Sequence, residues 1–329
     1  MDVRTELLAA DVPGIRRAAA LLRGGCLVAF PTETVYGLGA NALDPSAVAR
    51  VYAAKGRPSD NPLIAHVGSP EEIGRWACAD ARAWRLAARF WPGPLTLVLV
   101  SRGDLGYGTV ALRMPSEPVA LRLLRESGRP IAAPSANRSG RPSPTTAAAV
   151  LSELAGRVEA VLDGPPAMVG IESTVVDLTG ERAAVLRPGG ISQQDIAEAL
   201  EEEVASEAGS RRSPGTRYRH YAPDVPVRLF SGSPAWLRKA LGAALSEQPR
   251  AVYIGLAGVA PTGADGLLAR DLAELQRHLY EALRDAERRR VPVIAAWPPP
   301  SPEAAGVRDR LYRAAGGHLV EETDAGGSA

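Results

Sequence analysis

Lysine is almost missing from this chain. Of its 38 basic residues only Lys55 and Lys239 are lysine, and only three asparagines occur, Asn41, Asn61 and Asn137. A genome biased toward G and C, rich in Ala, Arg and Pro codons, accounts for the shortage. A position that still keeps Lys or Asn then marks a specific chemical demand. Lys55 and all three asparagines fall within the motifs described below.

Cysteine is scarce too, with only Cys26 and Cys78. Neither belongs to a CxxC or to a metal-ligand spacing. A disulfide framework, a zinc site and a thioredoxin-like redox motif are therefore excluded. Both thiols lie in apolar surroundings and read as buried and reduced. Charge of one sign is also lacking. The 38 basic and 37 acidic residues leave +1 at pH 7, which is no general signature of nucleic-acid binding, though a local basic patch is compatible with it. No run approaches the ~20 apolar residues of a membrane span. Met1 to Pro13 carries Arg4, Glu6 and Asp11 and has no apolar signal core. The expectation is a cytoplasmic protein with no membrane partner.

What is present is ordinary globular material: 329 residues, 46% hydrophobic and 23% charged. That length suits about two domains. Asp11 and Pro13 before an Ala/Leu/Arg run that stops at Gly24-Gly25 predict a capped helix. Asp44-Pro45 starts a second, ending near Ala54. Strands are expected at 26–30, 63–67, 95–101, 109–114, 130–133, 160–163, 173–178 and 183–187. Helices are expected at 117–127, 145–154 and 193–204. Hairpin-like and crossover connections both occur, which predicts a mixed sheet with packed helices. From Ala205 to Pro226 the pattern breaks into a Ser-, Gly-, Arg- and Pro-rich segment containing Ser213-Pro214-Gly215-Thr216-Arg217-Tyr218-Arg219-His220-Tyr221-Ala222-Pro223. It reads as a linker, with more aromatic and basic residues than a passive spacer carries. Beyond it, strands near 227–230, 251–255 and 291–296 alternate with helices at 234–245, 272–289 and 302–314, a three-stranded parallel α/β pattern.

Five segments concentrate polar chemistry. Phe30-Pro31-Thr32-Glu33-Thr34-Val35-Tyr36-Gly37-Leu38-Gly39-Ala40-Asn41-Ala42 reads as a loop of hydroxyls able to hold a small amino acid. Its glycines lie too far past the strand for a dinucleotide fingerprint, and Ala42 stands where the third would be. Lys55-Gly56-Arg57-Pro58-Ser59-Asp60-Asn61-Pro62-Leu63-Ile64-Ala65-His66 places a point charge and a forked donor after a helix, suited to phosphate oxygens or simply to a helix C-terminus. In Thr109-Val110-Ala111-Leu112-Arg113 the arginine closes an apolar strand, where it can clamp a carboxylate or face solvent. The loop from Pro134 to Pro144, with Ser135, Asn137 and Ser143, offers hydroxyls and N–H groups to an anion; Ser143 or Thr145 could instead cap the next helix. Ser173 and Arg187 stand at two further strand ends. No Ser-His-Asp order, Walker A loop or metal cluster is present, and Glu33 and Glu172 form no evident acid/base pair. The chemistry should rest on binding and positioning.

Taken in order, these segments resemble the YrdC-like threonylcarbamoyl-AMP synthases. Lys55-x-Arg57 and Ser135-x-Asn137 match that family's signature pair. The likeness covers residues 12–200, and Ser213–Pro223 with the unit after it resembles the long, two-domain form. It implies a YrdC-type twisted mixed sheet in residues 1–204, a linker over 205–226 that closes on the active site, and a small α/β domain over 227–329. It implies L-threonylcarbamoyladenylate synthesis from L-threonine, bicarbonate and ATP with Mg²⁺, a nucleotidyltransferase step toward modification of tRNA. Lys55, Arg57, Ser135 and Asn137 would be catalytic. Thr34, His66, Arg113, Ser173 and the backbone at Ala133 would hold threonine. Arg57, Asn61, Thr109, Ser135, Ser143, Arg187 and Tyr221 would hold ATP. A tRNA threonylcarbamoyl transferase would take the product, with at most weak contact to tRNA itself. Two other readings stand beside this one: an RNA-binding module, using Arg211, Arg212, Arg217 and Arg219, and a carbamoyl transferase or hydrolase.

Overall fold

The computed structural model describes residues 3–105, 108–207 and 221–322. The chain divides into two compact units, Met1–Ser139 with Ser143–Tyr218, and Gly140–Pro142 with Arg219–Ala329. Most of the expected linker, residues 208–220 with its four arginines, lies outside the described residues.

The first unit is built on a twelve-stranded mixed sheet. Across it run Glu6–Ala9, Ala160–Asp163, Val28–Phe30, Gly37–Asn41, Ile131–Ala132, Ile64–His66, Thr109–Arg113, Leu95–Ser101, Thr174–Asp177, Ala184–Arg187 and Ala205–Ser206, with Ala77–Cys78 beside Leu95–Ser101. Helix Val12–Arg23 starts where the Asp11 carboxylate accepts the Gly14 N–H. Its apolar stripe, Ile15, Ala18, Ala19 and Leu22, packs with Ala120, Leu123 and Leu124 of helix Pro118–Ser127 over Val28, Phe30 and Ile131. Helix Pro45–Lys55 is capped by Asp44 and stopped by Gly56 in the left-handed region (φ 61°), so Lys55 is its last residue. A separate core joins Leu95, Leu97, Leu99, Val110, Leu112, Val176 and Val185 to helix Ala81–Phe90. That helix, the opening strand Glu6–Ala9 and the two-residue strand Ala77–Cys78 escape the sequence reading.

Three local expectations need correction. Gly37–Asn41 is a buried strand, not a loop. It pairs antiparallel with Val28–Phe30 and with Ile131–Ala132. Its glycines read as turn signals, yet Gly39 serves close packing: a Cβ there would sit 2.8 Å from Ile131 Cγ2 and 2.9 Å from Phe30 Cε1. The cap of helix Ala147–Leu154 is Thr146, whose side chain accepts the Ala149 N–H, so neither Ser143 nor Thr145 serves that purpose. Cys26 is half-buried and Cys78 exposed. Cys78 follows buried Ala77 in a strand, and alternation turns it outward.

The second unit has five parallel strands rather than three, in the order Gly266–Ala269, Val252–Leu256, Val293–Ala296, Val227–Ser231, Leu319–Glu321. The two additions are the sheet's edges. Each is short and largely exposed, so neither carries the apolar run that marks the three inner strands. Helix Leu272–Arg289 has the bounds expected of it.

Substituting Gly39→Ala forces a methyl into space held by Ile131 and Phe30. A loss of about 1–3 kcal/mol is expected, read as a lower urea midpoint by circular dichroism. An unchanged midpoint would show that this strand pair can separate without cost.

Candidate active site

Strand alternation decides which side chains share a face. Along Thr109–Arg113, Val110 and Leu112 enter the core with Leu97 and Leu99. Thr109, Ala111 and Arg113 therefore point the other way. Ile64 pairs in register with Ala111, and His66 with Arg113, which sets His66 beside Arg113 on that same face. Its floor is apolar: Ile64, Val98, Ala111, Val175, Ala184 and Leu186. Thr109 is exposed and lines a cavity of about 580 Å³ with Tyr52, Asp60, Val98 and Ala132. Arg113 is four steps along the strand from it, so the two ends lie about 13 Å apart.

Arg113 is buried and donates through Nη2 to Glu33 Oε1 at 2.7 Å, with Nε facing the Gly93 carbonyl at 3.4 Å. Its Nη1 makes no described hydrogen bond. Glu33 is aimed inward by a hydroxyl turn. Thr32 Oγ1 accepts the Thr34 and Val35 N–H groups and donates to the Val35 carbonyl, while Thr34 Oγ1 lies 2.8 Å from Thr32 Oγ1. His66 is buried next to this pair, with its ring edge-on to Phe30. Burial first, then the charge of Arg113, lowers its pKa to about 3, so it is a neutral imidazole at pH 7.

The signature pair meets at one ammonium. Lys55 Nζ donates to the carbonyls of Ser135 and Asn137, and the Lys55 carbonyl accepts the Ser139 N–H at 2.8 Å. Burial, followed by the nearby charge of Arg57, pushes the Lys55 pKa well below its ordinary range. The loop is fixed at its other edge by Leu38 N–H on Pro134 O, Ala136 N–H on Tyr36 O and Tyr36 N–H on Pro144 O. Ala133 N–H donates to Ile64 O, and Ser135 forms a bridge with Gly37. Asn137 Nδ2 donates to the Arg138 carbonyl. Arg57 holds its own loop through the carbonyls of Asn61 and Pro62.

On the far side, Arg187 donates to Ser173 O and to Ser173 Oγ, which lies 2.7 Å from Thr96 Oγ1. Gly189 has no room for a side chain, since a Cβ would meet Glu172 O at 2.4 Å. Ser143, freed from capping, donates to the Glu172 carboxylate. Tyr221 belongs to the second unit, where it is buried with its ring 5.7 Å from that of Tyr280 and 5.0 Å from the Arg310 guanidinium.

Lys55, Arg57, Arg113 and Arg187 are all buried, and so are the carboxylates Glu33, Glu153 and Glu172, of which Glu153 and Glu172 act on the charge of Lys55. The three guanidiniums are forked donors of the kind that suits carboxylate and phosphate oxygens. Several buried polar atoms also lack partners: both side-chain atoms of Asn61, His66 Nδ1 and Glu33 Oε2. Each such atom costs about 1–3 kcal/mol unless a ligand meets it. Sequence reasoning named Asn61 and His66 as site residues, took Glu33 and Glu172 only as isolated carboxylates, and missed Thr96. The usable signal was a carboxylate placed among apolar and hydroxyl residues, which has to be paired if it is buried. Among the described residues no group of three or more His, Cys, Asp or Glu side chains could hold a metal ion, and no helix is long and apolar enough to cross a membrane.

A mixed sheet with buried arginines, hydroxyls and unpartnered polar atoms on one face defines a binder of small anionic substrates. The Sua5–YciO–YrdC family model, described as telomere recombination, matches residues 20–189. The model for the C-terminal domain of threonylcarbamoyl-AMP synthase matches residues 191–316. The threonylcarbamoyl-AMP synthase of Bacillus subtilis is 40% identical, over 97% of this chain and 98% of its own length. That of Pyrococcus abyssi is 42% identical, over 93% and 95%. The crystal structure of P. abyssi Sua5 complexed with L-threonine superposes with a TM-score of 0.88 at 38% identity, covering 97% of this chain and 99% of that one. The chain belongs to the threonylcarbamoyl-AMP synthase family, in its long form, and is an enzyme.

The neutral His66 has a consequence for stability. Above pH ~6.5 the ring is uncharged in the folded and unfolded chain alike. Below that, the unfolded chain takes up a proton that the folded one refuses until about pH 3. Stability therefore falls with pH across this window. In His66→Gln the slope of unfolding free energy against pH, from urea titrations, should flatten between about pH 6 and 4. An identical slope would mean that the folded ring takes its proton normally.

Proposed function

We propose that the chain forms L-threonylcarbamoyl-AMP and pyrophosphate from L-threonine, bicarbonate and ATP, acting as a nucleotidyltransferase that supplies the modification of adenosine next to the anticodon of tRNA. The observation that carries this is the set of buried arginines, Arg57, Arg113 and Arg187, with the unpartnered Glu33, Asn61 and His66 atoms. They suit a zwitterionic amino acid beside a polyphosphate. The P. abyssi relative that superposes over nearly the whole chain holds L-threonine.

Arg113 Nη1 would take the threonine carboxylate as a charge-assisted bond. Thr34, His66, Ser173 and the backbone at Ala133 would surround the rest of the molecule. Arg57, Asn61, Ser135, Ser143 and Arg187 would hold the phosphates, and Thr109, about 13 Å along its strand from Arg113, would meet the nucleoside end. Lys55 uses two N–H bonds to hold the loop, leaving its third for a phosphate oxygen beside Asn137. The amine of threonine captures bicarbonate as a carbamate. A carbamate oxygen attacks the α-phosphate, and pyrophosphate departs. Charge grows on phosphoryl oxygens in that step, where fixed cations stabilise it best. Magnesium would enter on the ATP phosphates. The mixed anhydride hydrolyses readily, so the buried setting also protects the product. A transferase would then carry the threonylcarbamoyl group to tRNA in the cytoplasm.

The test is pyrophosphate release by the purified chain with ATP, Mg²⁺ and bicarbonate, with and without L-threonine. Release should require both threonine and bicarbonate. Salt-dependent RNA binding without threonine-dependent release would favour the RNA-binding reading instead. Arg57→Ala should lower kcat/KM by about 100-fold or more, measured on protein shown to be folded by circular dichroism; turnover equal to the parent would remove Arg57 from the reaction.

A further inference from the structure

Arg113 already has a counterion. Glu33 Oε1 sits 2.7 Å from its Nη2, and both side chains are more than nine-tenths buried. If Arg113 also takes the carboxylate of an amino acid, as the proposed function requires, two anions share one buried guanidinium. That arrangement is costly unless a second cation joins it. The substrate brings one, its ammonium. Next to Arg113, on the carboxylate that it already binds, lies a buried oxygen with nothing to accept, Glu33 Oε2. His66, which faces Arg113 across the ladder, cannot supply the charge, because its buried ring is neutral.

We propose that Glu33 receives the α-ammonium of threonine on Oε2 and takes its proton, so that Glu33 and Arg113 together read the two charged ends of one amino acid. The bookkeeping balances. One N–H bond of the ammonium breaks and an O–H bond forms on Oε2. The freed nitrogen pair forms a C–N bond with the carbon of bicarbonate, and hydroxide leaves with a second nitrogen proton as water. The product is the carbamate. Glu33 is thus a catalytic residue, touching the reacting nitrogen, and it selects α-amino acids over hydroxy acids of the same shape. The proposal rests on the threonine reading above.

The test is a cycle between residue and ligand. Parent protein and Glu33→Gln are titrated calorimetrically with L-threonine and with (R)-3-hydroxybutyrate, which is threonine without its amino group. Glutamine keeps the size of Glu33 and an oxygen for Arg113 but has no charge to offer an ammonium. The parent should bind threonine at least about 10-fold more tightly than the hydroxy acid, and the variant should lose most of that preference. Equal loss of both ligands in the variant would mean that Glu33 only orients Arg113, and would overturn the proposal. If Glu33→Gln fails to fold, the parent alone decides: affinity for the hydroxy acid within about threefold of that for threonine overturns it. Failure of the parent to bind threonine at all would sink the functional reading and this assignment with it, whereas threonine binding without discrimination would sink only the assignment.

Discussion

One ammonium organises the site. Lys55 closes helix Pro45–Lys55 because Gly56 turns the chain away in a left-handed conformation. Its side chain then reaches two carbonyls of the loop that carries Ser135 and Asn137, while its own carbonyl takes the Ser139 N–H. Two segments eighty residues apart are joined there in both directions. Arginine could not stand in for it: its planar fork points donors along fixed lines, whereas an ammonium turns to meet whatever acceptors surround it. In a chain that has otherwise exchanged nearly every lysine for arginine, this geometry is a physical reason for keeping Lys55.

The remainder of the site follows from strand ends. Arg113, His66, Ser173 and Arg187 lie at or next to the last turn of a ladder, where hydrogen bonding between neighbours fixes the backbone and a side chain inherits that rigidity. The arginines are further held by backbone carbonyls, Gly93 for Arg113 and Ser173 for Arg187. Such bonds remove the guanidinium's freedom to move without adding a counter-charge, and Glu33 supplies Arg113 with one. The site is therefore pre-shaped.

Much of this was legible because hydrophobic periodicity and caps are local. Asp11, Asp44 and the apolar runs at Leu95–Ser101 and Ala160–Asp163 announce their own structure. The polar positions Lys55, Asn61, His66 and Arg113 stood out against their surroundings. What could not be read depended on partners distant in sequence. Gly37–Asn41 looks like a turn until Ile131 is known to press against Gly39. Thr145 resembles a cap until Thr146 is seen to occupy that place. Glu33 and Glu172 look isolated because Arg113 and Ser143 meet them across eighty and twenty-nine residues. The edge strands of the second unit have too few apolar residues to be marked by pattern.

The amide of Asn61 is completely buried, and neither its oxygen nor its nitrogen has a partner. A fold that keeps such a group ready gives up stability in the ligand-free form. Whatever fills that place stabilises the folded chain by mass action, in proportion to its concentration over its dissociation constant. The lifetime of the chain in a cell is thereby coupled to the supply of that ligand: abundant ligand protects it from unfolding and proteolysis, and scarcity exposes it.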